Sequence, residues 1–77
     1  MSDTAVRVKR VVAETLRVDP ERMIDNARFV EDLGAESIQS VELVAAFEEE
    51  FDIDMDEEQA LQVKNVADAV NFIEQYL

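Results

Sequence analysis

Apolar positions in this 77-residue chain recur mostly at helical spacing. One stripe runs from Asp3 to Arg17, a second segment from Ser37 to Phe51, and a third follows Asn65, a residue type that often caps helices. No stretch of useful length alternates apolar and polar residues as a strand does. The pattern therefore predicts an all-α protein with three main helices. The first and last stripes comprise Ala5, Val8, Val11, Val12 and Leu16, and Val66, Ala69, Val70, Ile73 and Leu77.

The connections between these helices add two features. Asp19 followed by Pro20 predicts a brief helical turn, because Asp can cap and Pro suits a first helical position. Residues 24–36 lack sustained periodicity and predict a long loop, whereas DEEQALQV at 56–63 predicts at most a short extra helix. The expected fold is a small three-to-four-helix bundle with a long first loop, forming a single domain over residues 1–77. Three apolar loop residues are expected to pack onto the core: Phe29, Val30 and Leu33.

The second main helix carries apolar residues on two nearly opposite faces. Leu43, Phe47 and Phe51 are spaced four apart and predict the core face. Ile38 and Val41 lie on the other side, among glutamates. Either they pack under the long loop, Val41 more readily than Ile38, or they form an exposed apolar strip bordered by carboxylates. The second arrangement suits reversible docking onto a basic, partly apolar surface.

Charge is distributed unevenly along the chain, whose net charge is −12. Residues 1–30 have a net charge of +1, whereas residues 31–77 carry fourteen acids and the single base Lys64. Such a surface repels nucleic acid and anionic membranes, and it favours protein partners with basic patches. No apolar stretch is long enough to span a bilayer, and the start MSDTAVRVKR lacks the apolar core of a secretion signal. We therefore expect a cytoplasmic protein without membrane insertion.

Ser37 is the first candidate for chemistry, because it stands where the second main helix begins. A serine in that place is commonly an N-cap and nothing more. The chain has no histidine or cysteine, and its lysines are Lys9 and Lys64, which argues against a serine nucleophile activated within the protein. A phosphate ester would suit the position, because a helix N-terminus stabilises an attached anion.

The acidic segments offer no other convincing site. Asp52, Asp54 and Asp56 match the first three ligand positions of a calcium-binding loop. Glu57 then replaces the required glycine and Val63 the required bidentate glutamate, so we predict no metal site. The glutamates at 48–50 indicate a solvated helix face rather than a pair of catalytic carboxylates.

The central segment FVEDLGAESIQSVELVAAFEEEFDIDM resembles that of bacterial acyl carrier proteins, whose hallmark is Asp-Ser-Leu after Leu-Gly-Ala. The resemblance extends over nearly the whole chain, from VRVKRVVAETLRVDPERM to the helix after VKNVADAV. It implies that Ser37 carries 4′-phosphopantetheine, transferred from coenzyme A by a separate phosphopantetheinyl transferase. The arm would hold acyl groups as thioesters and present them to partner enzymes of fatty-acid, lipid or polyketide synthesis. The chain itself would be a carrier and not an enzyme, and we expect a monomer.

The resemblance also carries over a docking surface. Glu36 stands for the acid beside the attachment serine, and Ile38 stands for the hallmark leucine that contacts partners. Three further glutamates fall on family acids that meet basic patches of acyl-handling enzymes, and a fourth falls near another. With Val41 from the apolar strip, the expected docking residues are Glu36, Ile38, Val41, Glu42, Glu48, Glu49 and Glu57.

Several positions depart from the family pattern. Glu36 and Ile38 turn Asp-Ser-Leu into Glu-Ser-Ile, Gln39 removes a common acid, Asp56 replaces a frequent proline, and Leu61 replaces a polar residue. These changes leave open a housekeeping fatty-acid carrier or a specialised carrier for a particular lipid or polyketide. A different class of function also stays open: an acidic adaptor protein of the same fold that is never modified.

Overall fold

The computed structural model describes residues 3–77, and within that range it confirms the all-α prediction. Four α-helices and one 3-10 turn are present, and the described residues contain no β-strand. None of the helices in this range is long and apolar enough to cross a membrane. The elements in chain order are α1 (Asp3–Leu16), the 3-10 turn (Pro20–Arg22), α2 (Ser37–Phe51), α3 (Glu57–Ala60) and α4 (Val66–Glu74).

Side-chain caps define where three of these elements begin. Asp19, Asp56 and Asn65 each accept a hydrogen bond from a backbone N–H two or three residues ahead, at 2.8–3.1 Å. Such bonds satisfy donors that the first turn of a helix cannot pair internally. The caps at Asp19 and Asn65 confirm the predicted starts, and α3 is the short extra helix expected between α2 and α4.

The core lies where α1 packs against α2 and α4. The predicted stripe of α1 is buried from Val8 to Leu16, and the predicted core face of α2 is buried at Leu43, Phe47 and Phe51. Burial of such apolar surface is the main favourable term in folding. The largest side chains that are almost fully enclosed come from α1 and α4: Val8, Val12, Val66 and Ile73.

Backbone hydrogen bonds attach the long loop to the connection between α3 and α4. The Phe29 N–H donates to the Lys64 carbonyl oxygen at 2.9 Å, and the Val66 N–H donates to the Ala27 carbonyl oxygen at 3.0 Å. These bonds flank an isolated antiparallel bridge between Arg28 and Asn65. The loop is therefore tied directly to the start of α4.

The end of the loop turns back on itself just before α2. Gly34 has a φ of 73°, a left-handed conformation that glycine adopts without steric cost. The Ala35 N–H then donates to the Phe29 carbonyl oxygen at 2.8 Å, and the Ala35 side chain is buried. This closure determines where the chain enters α2.

Two apolar residues that were expected to pack inward are exposed instead. Val30 is 53% exposed, while its loop neighbours Phe29 and Leu33 are buried as predicted. Leu77 is 64% exposed and lies beyond α4, which ends at Glu74. The prediction for Val30 was wrong because the chain turns directly after Phe29. The prediction for Leu77 was wrong because α4 ends three residues before it.

An ionic cluster joins α1 to the end of α2. The Glu50 carboxylate accepts from the Arg7 guanidinium at 2.8 Å and from the Arg10 guanidinium at 2.6 Å, and Arg7 also lies 4.4 Å from the centroid of the Phe51 ring. Hydrogen bonds from Arg7 and then Arg10 lower the pKa of the Glu50 carboxyl. The cluster therefore favours the charged form of Glu50 in the folded protein.

Glu50→Gln should lose more stability at neutral than at acid pH. Because folding lowers the pKa of Glu50, its contribution is fully present above the unfolded value of about 4.3 and is lost as the pH falls through the lowered folded value. Urea unfolding of wild type and Glu50→Gln at several pH values measures the difference. Glu49→Gln, at the exposed neighbouring position, is the control for removing one charge. A difference that stays constant from pH 7 to pH 3 would contradict the prediction.

Candidate functional site

Ser37 is the first residue of α2, and its side chain is exposed. The N-cap is Glu36, whose φ of −91° and ψ of 164° are extended, so the interpretation of Ser37 as an N-cap was wrong. No hydrogen bond joins the Ser37 hydroxyl to any other residue in the range 3–77. The hydroxyl therefore has no capping role and stands free at the helix start.

The backbone around Ser37 suits an attached anion. The N–H groups of Ser37 and Ile38 lie in the first turn of a 15-residue helix and donate to no other described residue. Free N–H groups and the helix dipole together stabilise negative charge at this end of a helix. A phosphate ester on Ser37 therefore fits the site.

No described side chain is hydrogen-bonded to the Ser37 hydroxyl as a base would be. Lys9 pairs with Asp25 at 2.8 Å, and the Lys64 ammonium donates to the Leu61 carbonyl oxygen at 3.4 Å. Within residues 3–77, no group of three or more acidic side chains lies close enough together to hold a metal ion. An exposed hydroxyl without a base has the chemistry of an acceptor that another protein modifies.

The outer face of α2 resolves the choice left open for its apolar residues. Ile38 is 69% exposed and Val41 is 49% exposed, so neither packs under the long loop. Glu42 and Glu49 are also exposed, and neither forms an ion pair with another described residue. The structure thus brings together an apolar strip bordered by unpaired carboxylates, one turn from Ser37.

The other predicted docking residues have different surroundings. Glu36 is exposed at the N-cap of α2, and Glu57 is exposed at the first position of α3. Glu48 is half-buried, and its carboxylate accepts from the Met55 N–H at 2.8 Å. Glu48 therefore holds the connection between α2 and α3, a contact that helix periodicity could not reveal.

A small apolar cavity lies between α2, α3 and α4, and the apolar spacing predicted about half of its lining as core residues. Its volume is about 30 Å³, enough to hold a water molecule. Leu61, which replaces the polar residue common in the family, contributes an apolar side chain to this lining. Helical periodicity indicated several core residues but could not show which of them leave a gap. The cavity is lined by Phe29, Ser40, Leu43, Val44, Phe47, Met55, Ala60, Leu61, Val63, Ala69, Phe72 and Ile73.

Two hydrogen bonds hold the segment that forms one wall of this cavity. The Met55 N–H is bound by Glu48, and the Asp56 N–H donates to the Tyr76 hydroxyl at 3.2 Å. Tyr76 in turn packs against Phe72, with ring centroids 5.4 Å apart. A proline at position 56 could not donate this bond, and the Asp56 side chain also caps α3 by accepting from the Gln59 N–H at 3.1 Å.

Comparisons with known proteins agree with this site. Residues 6–73 match the family model described as phosphopantetheine attachment site. Acyl carrier protein of Phenylobacterium zucineum (strain HLK1) is 49% identical over 77 residues, covering 100% of this chain and 98% of that protein. Acyl carrier protein of Zymomonas mobilis subsp. mobilis is 45% identical over 76 residues, covering 99% and 97%. Acyl carrier protein of Caulobacter vibrioides (strain NA1000 / CB15N) is 51% identical over 73 residues, covering 95% and 94%.

Ile38→Gln and Val41→Gln should leave the fold nearly unchanged. Both side chains are exposed, and surface substitutions usually alter the free energy of unfolding by less than about 0.5 kcal/mol. Leu43→Ala on the buried face should instead cost about 2–5 kcal/mol. Urea unfolding measures all three variants. A loss above 1 kcal/mol in either glutamine variant would show that the strip contributes to the core.

Proposed function

Because this chain belongs to the acyl carrier protein family, we propose that Ser37 is the residue that bears its covalent 4′-phosphopantetheine arm. Members of this family are carriers and not enzymes, and the thiol of the arm holds acyl groups as thioesters. The exposed, unbonded hydroxyl of Ser37 at the positive end of α2 is the observation that carries the assignment. Ser40, one turn further, is half-buried against the cavity and is a poorer acceptor.

The transfer that loads the carrier requires a second protein. It forms a bond between the Ser37 oxygen and phosphorus and breaks the pyrophosphate bond of coenzyme A, which releases adenosine 3′,5′-bisphosphate. The hydroxyl proton must pass to a base of the transferase, because no described side chain is hydrogen-bonded to the Ser37 hydroxyl. The contribution of the carrier is to present the hydroxyl on an ordered helix start.

The outer face of α2 is the proposed docking surface for the transferase and for acyl-handling enzymes with basic patches. Its exposed, unpaired acids would attract such partners at long range, while Ile38 and Val41 supply apolar contact. Glu48 is the least available of the proposed acids because it is half-buried and bound to the Met55 N–H. The proposed surface comprises Glu36, Ile38, Val41, Glu42, Glu48, Glu49 and Glu57.

The proposal has three further parts. Residues 1–77 form one carrier domain, which is supported by the match over residues 6–73 and by relatives covered over 94–98% of their length. The carrier acts as a monomer in the cytoplasm. Analytical ultracentrifugation of the loaded protein and fractionation of cells test these two statements.

Loading should require Ser37 and not Ser40. Wild type, Ser37→Ala and Ser40→Ala are incubated with coenzyme A and a phosphopantetheinyl transferase, and intact masses are then measured. Wild type and Ser40→Ala should gain the mass of one arm, and Ser37→Ala should gain none. Loading of Ser37→Ala would refute the assignment, and a wild type that no transferase loads would favour an unmodified adaptor protein.

Charge reversal on the docking surface should act mainly on association. Glu42→Lys combined with Glu49→Lys should slow association with the transferase by about tenfold or more at low salt, with a smaller change in dissociation. Single exposed pairs contribute about 0.2–1 kcal/mol, so neither change alone should abolish binding. Stopped-flow kinetics at several salt concentrations measure the rates.

The matched control for this reversal is Glu14→Lys combined with Glu74→Lys, which changes the net charge equally at exposed positions of α1 and α4. It should leave association much less affected. Ile38→Ala should speed dissociation with little change in association. Equal slowing by both double variants would mean that net charge, and not the α2 surface, attracts the partner.

Part of an acyl cargo should be sheltered in the cavity between α2, α3 and α4. A cavity of about 30 Å³ must expand to admit a chain, and each buried methylene then contributes at most about 0.8 kcal/mol. The melting temperature of acylated protein should therefore rise with chain length, up to a limit, above that of the form with the bare arm. Equal melting temperatures across a series of chain lengths would place the cargo in solvent.

A further inference from the structure

Gln39 makes a contact that bears on the chemistry of Ser37. Its side-chain oxygen Oε1 accepts a hydrogen bond from the backbone N–H of Glu36 at 2.9 Å. Gln39 is the third residue of α2, and its own N–H donates to the Glu36 carbonyl oxygen at 2.9 Å. The start of α2 is thus closed from inside the helix, by the residue two places after Ser37.

This closure separates two roles that a serine at a helix start otherwise combines. As an N-cap, a serine lies outside the helix with an extended backbone, and its hydroxyl accepts from an N–H of the first turn. In this chain Glu36 takes the N-cap position, and Ser37 lies within the first turn with its hydroxyl unengaged. A glutamine at this third position is a known partner of the N-cap N–H.

We infer that Gln39 is a positioning residue for the attachment reaction: by binding the Glu36 N–H, it keeps Ser37 inside the first helical turn with its hydroxyl free for the transferase. The inference rests on the proposed function of Ser37 as the attachment residue. When the bond is lost, a conformer in which the first turn frays, with Ser37 outside the helix, gains population. The transferase then binds a smaller competent fraction of the carrier, which raises the apparent KM and leaves kcat at saturation nearly unchanged.

The decisive variants are Gln39→Ala, Gln39→Glu and Asp19→Ala. Gln39→Ala removes the acceptor, whereas Gln39→Glu keeps one at the same place. Asp19→Ala removes a comparable cap bond, the one from the Glu21 N–H at 2.9 Å, at the start of the 3-10 turn. It therefore matches the loss of a cap while leaving the first turn of α2 intact.

Each full-length variant is loaded from coenzyme A by a phosphopantetheinyl transferase while the concentration of carrier is varied. Gln39→Ala should raise KM by up to about fivefold, the factor that corresponds to losing one cap of about 1 kcal/mol, with kcat unchanged. Gln39→Glu should return KM to the wild-type value or below, and Asp19→Ala should leave it unchanged. Amide hydrogen exchange should accelerate at Glu36 in Gln39→Ala alone.

Three results would overturn the inference. The first is an unchanged KM in Gln39→Ala although exchange at Glu36 is faster. The second is an equal rise in Asp19→Ala, which would indicate a loss of stability only. The third is a Gln39→Glu variant as impaired as Gln39→Ala, which would indicate contact between the amide and the transferase. An error in the attachment residue itself would appear separately, as loading of Ser37→Ala.

Discussion

The hydrogen bonds between the long loop and the α3–α4 connection are the constraint on which the presentation of Ser37 depends. The Phe29 N–H donates to the Lys64 carbonyl oxygen, and the Val66 N–H donates to the Ala27 carbonyl oxygen. In addition, the Ala67 N–H donates to the Asp25 carbonyl oxygen at 2.7 Å. Without such pairing, a loop of this length would be costly to order and free to move. With it, the loop carries Phe29 and Leu33 into the core and delivers the chain to α2 in one position.

Charge is compensated on one side of the molecule and left uncompensated on the other. In α1, Arg7 pairs with Glu50 and Lys9 pairs with Asp25. In the long loop, Arg28 pairs with Asp32. Hydrogen bonds from Lys9 and Arg28 lower the pKa values of Asp25 and Asp32. The acids of the outer face of α2 have no such partners among residues 3–77, which leaves them available to basic groups of another protein.

The start and the inner face of α2 have separate tasks. At the start, the Glu36 N–H donates to the Gln39 side chain, so the Ser37 hydroxyl does not have to cap the helix. On the inner face, Leu43 and Phe47 contribute both to the core and to the lining of the apolar cavity. The bonds from Met55 to Glu48 and from Asp56 to Tyr76 hold the opposing wall in place. One helix thus links the exposed Ser37 hydroxyl to an apolar interior.

Local sequence signals determined the helical elements of this protein. The spacing of apolar residues in α1 and α4 and the caps at Asp19 and Asn65 are properties of short segments, because periodicity and capping depend on residues a few positions apart. The candidacy of Ser37 also arose locally, from a serine at a helix start in a chain without histidine or cysteine.

Tertiary structure decided the features that depend on residues distant in sequence. It placed Ile38 and Val41 in solvent, exposed Val30, and engaged Glu48 with the Met55 N–H. It also formed the cavity, whose lining comes from the loop, three helices and their connections. A helical wheel shows the two faces of α2 but not which neighbours cover them, because that depends on how the loop and α3 pack across the bundle.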